Sequence, residues 1–100
     1  MITEKDVIGG LREILDPELH YNIYDLGLVY DINISEDQEV KIVMTLTTPM
    51  CPIGPMLTEQ IYEFLGLMAG VKSAEVEFTF TPAWGVDNMS DEARADLGLD

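Results

Sequence analysis

Basic residues are scarce in this sequence. Among 100 residues, five Lys and Arg stand against 19 Asp and Glu, and the formal net charge is −14. Affinity for nucleic acids at physiological salt depends mainly on Lys and Arg that neutralise phosphates, and anionic membranes attract the same residues. We therefore expect neither nucleic acid nor a membrane surface as a partner.

Long hydrophobic runs and paired cysteines are missing as well. Every apolar stretch is far shorter than the about 20 residues that a membrane helix needs. The N-terminal MITEKD is too acidic for a secretory signal peptide. The single thiol, Cys51, has no internal disulfide partner, which is typical of a reducing compartment. These features predict a cytoplasmic protein.

The hydrophobic content is nevertheless sufficient for a core. Hydrophobic residues make up 47% of the sequence, which lies outside the range of disordered chains. A chain of this length is expected to form one compact domain over residues 1–100.

Hydrophobic periodicity predicts the main elements. Thr3 and Asp6 form a helix-capping pattern, and a first helix is predicted from there to Leu15, because Pro17 opposes its continuation. Alternating apolar residues predict three strands, and helical spacing predicts a second long helix and a short C-terminal one. The predicted ranges are 26–34, 40–47 and 74–81 for the strands, 57–68 for the second helix and 90–98 for the last.

Each predicted strand has one apolar side, and each long helix has one apolar face. The expected fold class is therefore α/β (α+β): a two-layer sandwich in the order α-β-β-α-β with a short C-terminal helix. The three-stranded sheet should be mixed, with its helices on one face. The first two strands form an antiparallel hairpin, and the helical crossover makes the second and third strands parallel.

Cys51 is the first candidate for chemistry. It lies in a loop with three prolines, directly before the second helix, where unpaired N–H groups and the helix dipole favour a thiolate. Such a sulfur can act as a nucleophile or as a soft metal ligand. The alternative is a buried cysteine that serves as a small apolar side chain.

Other candidates lie in the two loops expected near Cys51. Asp16, Glu18 and Asp25 could bind metal or accept protons, or they could be turn residues and a solvated carboxylate. Thr47 and Thr48 could donate hydrogen bonds to a ligand, or they could simply end a strand.

Trp84 and Met50 are candidates for an exposed contact surface towards a partner. The alternative for Trp84, which we favour, is a C-terminal tail folded over the sheet edge or over the site. A Gly-rich phosphate loop, a Ser-His-Asp set and a His-rich cluster are all missing from the sequence.

Four parts of the sequence resemble a known family when they are read together. The stretches 16–19, 22–30 and 44–52, and the pattern from Trp84 to Gly98, are similar to those of the SufT and PaaD-like family of iron-sulfur cluster assembly factors. The PaaD branch has additional C-terminal cysteines that this chain lacks. Met50 also stands where many relatives have glycine, and Ala83 where they have proline.

The resemblance implies an α-β-β-α-β sandwich and a role in the maturation of iron-sulfur proteins, not an enzyme. It implies that Cys51 is the key functional residue of the site. The residues that it places in the pocket around this cysteine are Asp16, Glu18, Leu19, Thr47 and Thr48. The implied partners are the iron-sulfur assembly machinery and client apoproteins.

Three mechanisms are compatible with these residues. In the leading hypothesis, the Cys51 thiolate transiently holds iron or an iron-sulfur cluster. Because a cluster usually takes four cysteine-type ligands, the others must come from a second protomer, from Asp16 and Glu18, or from a recipient protein. A homodimer is the simplest arrangement. The alternatives are a metal-free adaptor that brings the assembly machinery to client apoproteins, and a thiol redox protein.

Overall fold

A computed structural model describes residues 2–47 and 53–99 of the chain. Seven elements follow one another along it. They are α1 (Glu4–Leu11), β1 (Val29–Ile34), β2 (Glu39–Met44), α2 (Ile53–Leu67), β3 (Ser73–Phe78), a 3-10 turn (Val86–Asn88) and α3 (Asp91–Asp96).

Helix α1 begins with the predicted capping box but ends earlier than expected. The Thr3 hydroxyl accepts from the Asp6 N–H, and the Asp6 carboxylate accepts from the Thr3 N–H. The prediction that the helix reaches Leu15 is wrong, because the chain tightens after Leu11 and Leu15 instead forms an isolated bridge with Asn22. Local pairing within the following loop thus replaces the last predicted turn.

The three strands form a mixed sheet in the order β1-β2-β3. Strands β1 and β2 are antiparallel and β2 and β3 are parallel, which confirms the predicted hairpin and crossover. The hairpin turn contains Gln38, whose φ is +66°. All three strands are shorter than predicted, yet Leu26, Leu28 and Leu46 beyond their ends are still buried. The alternating apolar pattern therefore extends beyond the paired strands, because residues outside the strand ends are buried as well.

The core is made by one side of the sheet, both long helices and the loop before β1. Val40, Ile42 and Met44 of β2 are buried, as are Leu57, Ile61 and Leu65 of α2. Helix α2 packs beside β3, and α1 contacts both α2 and β1. The predicted α+β fold with a three-stranded mixed sheet is confirmed, while the assignment of both helices to one layer stays a prediction.

The C-terminal segment folds back onto the rest of the chain. Ser90 caps α3 by accepting from the Ala93 N–H, and Gly98 ends the segment with φ +73°, as predicted. The predicted third strand, 74–81, extends too far, because β3 ends at Phe78 and Phe80 beyond it is half exposed. Over residues 2–47 and 53–99, no helix is long and apolar enough to cross a membrane.

Candidate functional site

The loop between α1 and β1 is organised by the carboxylate of Asp16. Its Oδ1 atom accepts from the N–H groups of Glu18 at 2.8 Å and Leu19 at 3.0 Å. Its backbone N–H donates to the Tyr21 carbonyl, and its carbonyl accepts from His20, both at 2.9 Å. Asp16 is thus a turn residue, and it brings Glu18 and Leu19 together in the same turn.

The second oxygen of the same carboxylate is in a different situation. Asp16 is 0% exposed, and Oδ2 has no hydrogen-bond partner among the described residues. A buried carboxylate oxygen is costly unless a proton, a cation or a donor satisfies it. One oxygen of Asp16 therefore builds the loop, and the other makes no hydrogen bond to any described residue.

The other predicted pocket residues have different environments. Glu18 is exposed, whereas Leu19 is half-buried and packs against the core. Thr47 is half-buried in the segment after β2. That segment lies beside the end of the 16–28 loop, because the Thr45 N–H donates to the Leu28 carbonyl at 2.8 Å. The two loops that sequence reasoning associated are neighbours at this point.

Three predicted site residues lie outside the described residues: Thr48, Met50 and Cys51. Their flanks are described on both sides, by Thr47 after β2 and by Ile53 at the start of α2. Within the described ranges, no group of three or more His, Cys, Asp or Glu residues could hold a metal ion. A complete ligand set does not come from these parts of one chain.

Thr45 is a residue that sequence reasoning missed. It is 0% exposed, and its Oγ1 atom has no hydrogen-bond partner in the described part of the chain. The alternating pattern of the second strand placed Thr45 on the side predicted to face solvent, so its burial was not expected. Asp16 and Thr45 are the buried polar residues of the described ranges.

Asp25 is engaged in structural contacts and does not share the environment of Asp16. It makes reciprocal hydrogen bonds with Asn22, through its Oδ2 at 3.0 Å and its N–H at 2.8 Å. The Arg12 guanidinium lies 3.6 Å from its other carboxylate oxygen and 5.1 Å from the centroid of the Tyr24 ring. These contacts favour the turn-residue interpretation for Asp25.

The C-terminal segment is fastened to this loop by polar contacts. The Trp84 indole N–H donates to the Leu26 carbonyl at 2.7 Å, and the Ser90 N–H donates to the Asp25 carbonyl at 2.8 Å. Trp84 is half-buried against the core. The indole therefore contributes to holding the tail over the loop, and its role as a partner surface stays a prediction.

A tyrosine and a carboxylate make a further contact between the loop and α3. The Tyr21 hydroxyl donates to Asp96 Oδ2 at 2.7 Å. This hydrogen bond to a carboxylate raises the pKa of Tyr21 to about 12, because loss of the phenolic proton would leave two negative groups together. Nothing in the sequence pattern indicated that these two residues, 75 positions apart, would meet.

This chain is similar to several known proteins. Residues 4–78 match a family model described as iron-sulfur cluster assembly protein. A Porphyromonas gingivalis protein described as an Fe-S protein maturation auxiliary factor is 41% identical over 97% of this chain and 92% of its own. A Bacillus subtilis protein with the same description, YitW, is 38% identical over 96% and 94%.

A solved structure supports the fold. A conserved hypothetical protein of Thermotoga maritima superposes with a TM-score of 0.82 at 42% identity, and covers 97% of this chain and 95% of its own. The family match spans α1 to β3 and includes the loop of Asp16 and the segment of Cys51. The chain therefore belongs to the family of iron-sulfur cluster assembly proteins.

Proposed function

We propose that this protein is an iron-sulfur protein maturation factor that holds iron or a cluster transiently at the Cys51 thiolate and passes it to client apoproteins. The family match over residues 4–78, which contains Cys51, carries the proposal. The relatives described as maturation auxiliary factors cover nearly the whole chain, and their description supports the same role. On this view the protein is a cytoplasmic, non-catalytic component of the assembly machinery.

The cargo requires more ligands than one thiol. Iron-sulfur clusters usually take four cysteine-type ligands, and the described ranges contain no group of three or more metal-binding side chains. Asp16 can offer only Oδ2, because Oδ1 already accepts two backbone N–H groups. Asp16 Oδ2 and Glu18 can therefore supply only part of the missing set, and the rest comes from a second protomer or from the recipient. A homodimer through two Cys51 thiols is the simplest source.

Incomplete coordination suits a carrier. A thiolate that shares its cargo with exchangeable ligands can release it when a recipient offers a more complete set of cysteines. On this proposal loading depends on Cys51, and the buried Oδ2 of Asp16 is the described carboxylate oxygen that can assist it.

Anaerobic reconstitution with iron and sulfide tests the proposal. We expect the wild type to gain sulfide-dependent visible absorption and bound iron, and Cys51→Ser to gain neither. The iron count per protomer, together with the mass of the loaded species in solution, distinguishes a dimer from a monomer.

Two outcomes would contradict the carrier mechanism. If neither protein binds iron, or if Cys51→Ser loads as well as the wild type, the thiolate does not hold the cargo. Binding of client apoproteins that survives Cys51→Ser would then favour the metal-free adaptor, and peroxide-dependent turnover of the thiol would favour the redox protein.

A further inference from the structure

Strand β3 has an open edge in the described part of the chain. It pairs with β2 on one side, and no described strand pairs with the other. The Thr79 N–H donates to the Met44 carbonyl, so the N–H groups of Val76 and Phe78, which alternate with it, point outwards. These outward groups are a template for an added strand.

One outward N–H is occupied by a side chain. The Tyr62 hydroxyl of α2 accepts from the Val76 N–H at 3.3 Å, a long hydrogen bond at an exposed position. It takes the place that the carbonyl of an added strand would take. Tyr62 is itself 41% exposed, so an incoming backbone could replace it without opening the core.

An apolar groove of about 640 Å³ lies between this edge and the first turns of α2. The residues that line it are Gly54, Pro55, Thr58, Glu59, Tyr62 and Phe78. Phe78 lies on the same side of β3 as Val76, so alternate side chains of an added strand would point into the groove. The groove is large enough to accept an aliphatic or aromatic side chain.

The charges around the edge define the chemistry of the occupant. Glu75 and Glu77 are exposed on the other side of β3, where Glu77 forms a solvent-exposed ion pair of 3.7 Å with Lys41 of β2. Glu59 lies at the rim of the groove. Opposite charges on adjacent strands attract and like charges repel, so Lys or Arg is favoured opposite the two strand glutamates. Antiparallel pairing of β3 with a second copy of itself would bring glutamates together, which disfavours this chain as its own occupant.

We propose that the open edge of β3 binds an extended, basic segment of a partner protein as a fourth strand. In this complex, Lys or Arg side chains of the segment face Glu75 and Glu77, and an apolar side chain fills the groove beside Phe78. The site goes beyond the proposed cargo chemistry, because it needs neither iron nor Cys51. It supplies a means of recognising a client or an assembly partner by its backbone and charge.

Peptide binding to the full-length protein tests this site. The probe is a blocked octapeptide that alternates Lys with Val and Phe, titrated while the amide resonances of the protein are recorded by NMR. We expect shifts concentrated in β3 and the first half of α2. Replacing Lys by Glu in the peptide, or N-methylating alternate residues so that they cannot pair with a strand, should abolish them.

Two pairs of charge-reversed variants of the protein, one at the site and one away from it, test the role of the strand glutamates. We expect Glu75→Lys with Glu77→Lys to raise the dissociation constant of the basic peptide about tenfold and to allow binding of the acidic peptide. Glu36→Lys with Asp37→Lys, in the exposed hairpin turn, changes the net charge equally and should leave the shifts in β3 intact. Tyr62→Phe frees the Val76 N–H and should tighten binding without altering the charge.

Several results would overturn the proposal. Absence of binding up to about 1 mM peptide would exclude the site, as would shifts that avoid β3. Equal weakening by both charge-reversed pairs would show attraction to the acidic surface in general. Concentration-dependent shifts of β3 without peptide would identify a second copy as the occupant.

Discussion

At the scale of single residues, Asp16 combines two functions in one carboxylate. Oδ1 closes the loop through the N–H groups of Glu18 and Leu19, and Oδ2 is buried without a partner among the described residues. Substitutions of Asp16 by asparagine and by alanine distinguish the roles of the two oxygens. Asparagine keeps an acceptor for the two N–H groups but replaces the free oxygen by a donor, whereas alanine removes both.

We therefore predict different results for the two substitutions. Asp16→Ala should lower the free energy of unfolding by about 1 to 2 kcal/mol, because it leaves the two loop N–H groups without their acceptor. Asp16→Asn should retain most of that stability and lower iron loading in reconstitution. Urea denaturation and iron analysis measure the two effects, and equal destabilisation by both variants would contradict the assigned role of Oδ1.

Tyr21 provides a pH-dependent contact at the same scale. Its hydrogen bond to Asp96 raises its pKa from 10.0 to about 12, so the folded protein retains a proton that the unfolded chain loses. The stability from this pair is fully present below pH 10 and is lost as the pH rises towards 12.

The corresponding prediction concerns alkaline unfolding. Between pH 10 and 12, the free energy of unfolding of the wild type should fall more steeply than that of Tyr21→Phe, which has no phenolic proton. Asp96→Asn should resemble Tyr21→Phe in this range, because it removes the carboxylate that raises the pKa. Parallel curves for all three proteins would show that the pair has no influence on stability.

At the scale of elements, two helices approach closely at a glycine. A Cβ atom at Gly10 of α1 would overlap the ring of Phe64 in α2, whereas a Cβ atom at Gly9 would meet nothing within 4 Å. The close contact between α1 and α2 therefore requires glycine at position 10 but not at position 9. Phe64 is half-buried and packs against the core, so its ring cannot move freely away.

These two glycines form a matched pair for mutation. Gly10→Ala should lower the free energy of unfolding by about 1 to 3 kcal/mol, because the helices must separate or the ring must leave its rotamer. Gly9→Ala should raise it by up to about 1 kcal/mol through its higher helix propensity. Chemical denaturation of both variants measures the difference, and stabilisation by Gly10→Ala would show that α1 is not held in this position.

At the scale of the whole molecule, negative charge dominates. The net charge is −14 on 100 residues, and the described structure contains few ion pairs, which join Arg12 to Asp25, Lys41 to Glu77 and Arg94 to Asp91. Such an excess of one sign destabilises the compact state by self-repulsion, and it attracts basic partners from a distance.

Screening should therefore stabilise the fold. We predict that raising sodium chloride from about 10 mM to about 500 mM, which shortens the Debye length from about 30 Å to a few Å, increases the midpoint of thermal unfolding. Glu36→Lys with Asp37→Lys reduces the net charge from −14 to −10, since each substitution adds two positive charges, and should weaken this dependence. A midpoint that falls with salt would show that attractive ion pairs outweigh the repulsion.

The sequence alone determined the elements, their order and the family. Periodicity identified both long helices, all three strands and the capped C-terminal helix, because burial of one face imposes a regular spacing on apolar residues. The motifs around Asp16 and Cys51 identified the iron-sulfur assembly family, which the family match confirms. The assignment of the pocket to these residues stays a prediction, with Cys51 outside the described ranges.

Tertiary structure alone decided the element ends and the long-range contacts. Helix α1 stops at Leu11 because the next loop pairs with itself. Only one oxygen of Asp16 accepts hydrogen bonds from the described residues, because the N–H groups of its turn reach no further. The Tyr21 contact with Asp96 and the groove beside β3 join residues distant in sequence. Periodicity indicates which face of an element is buried, whereas the partners of each side chain depend on how the whole chain packs.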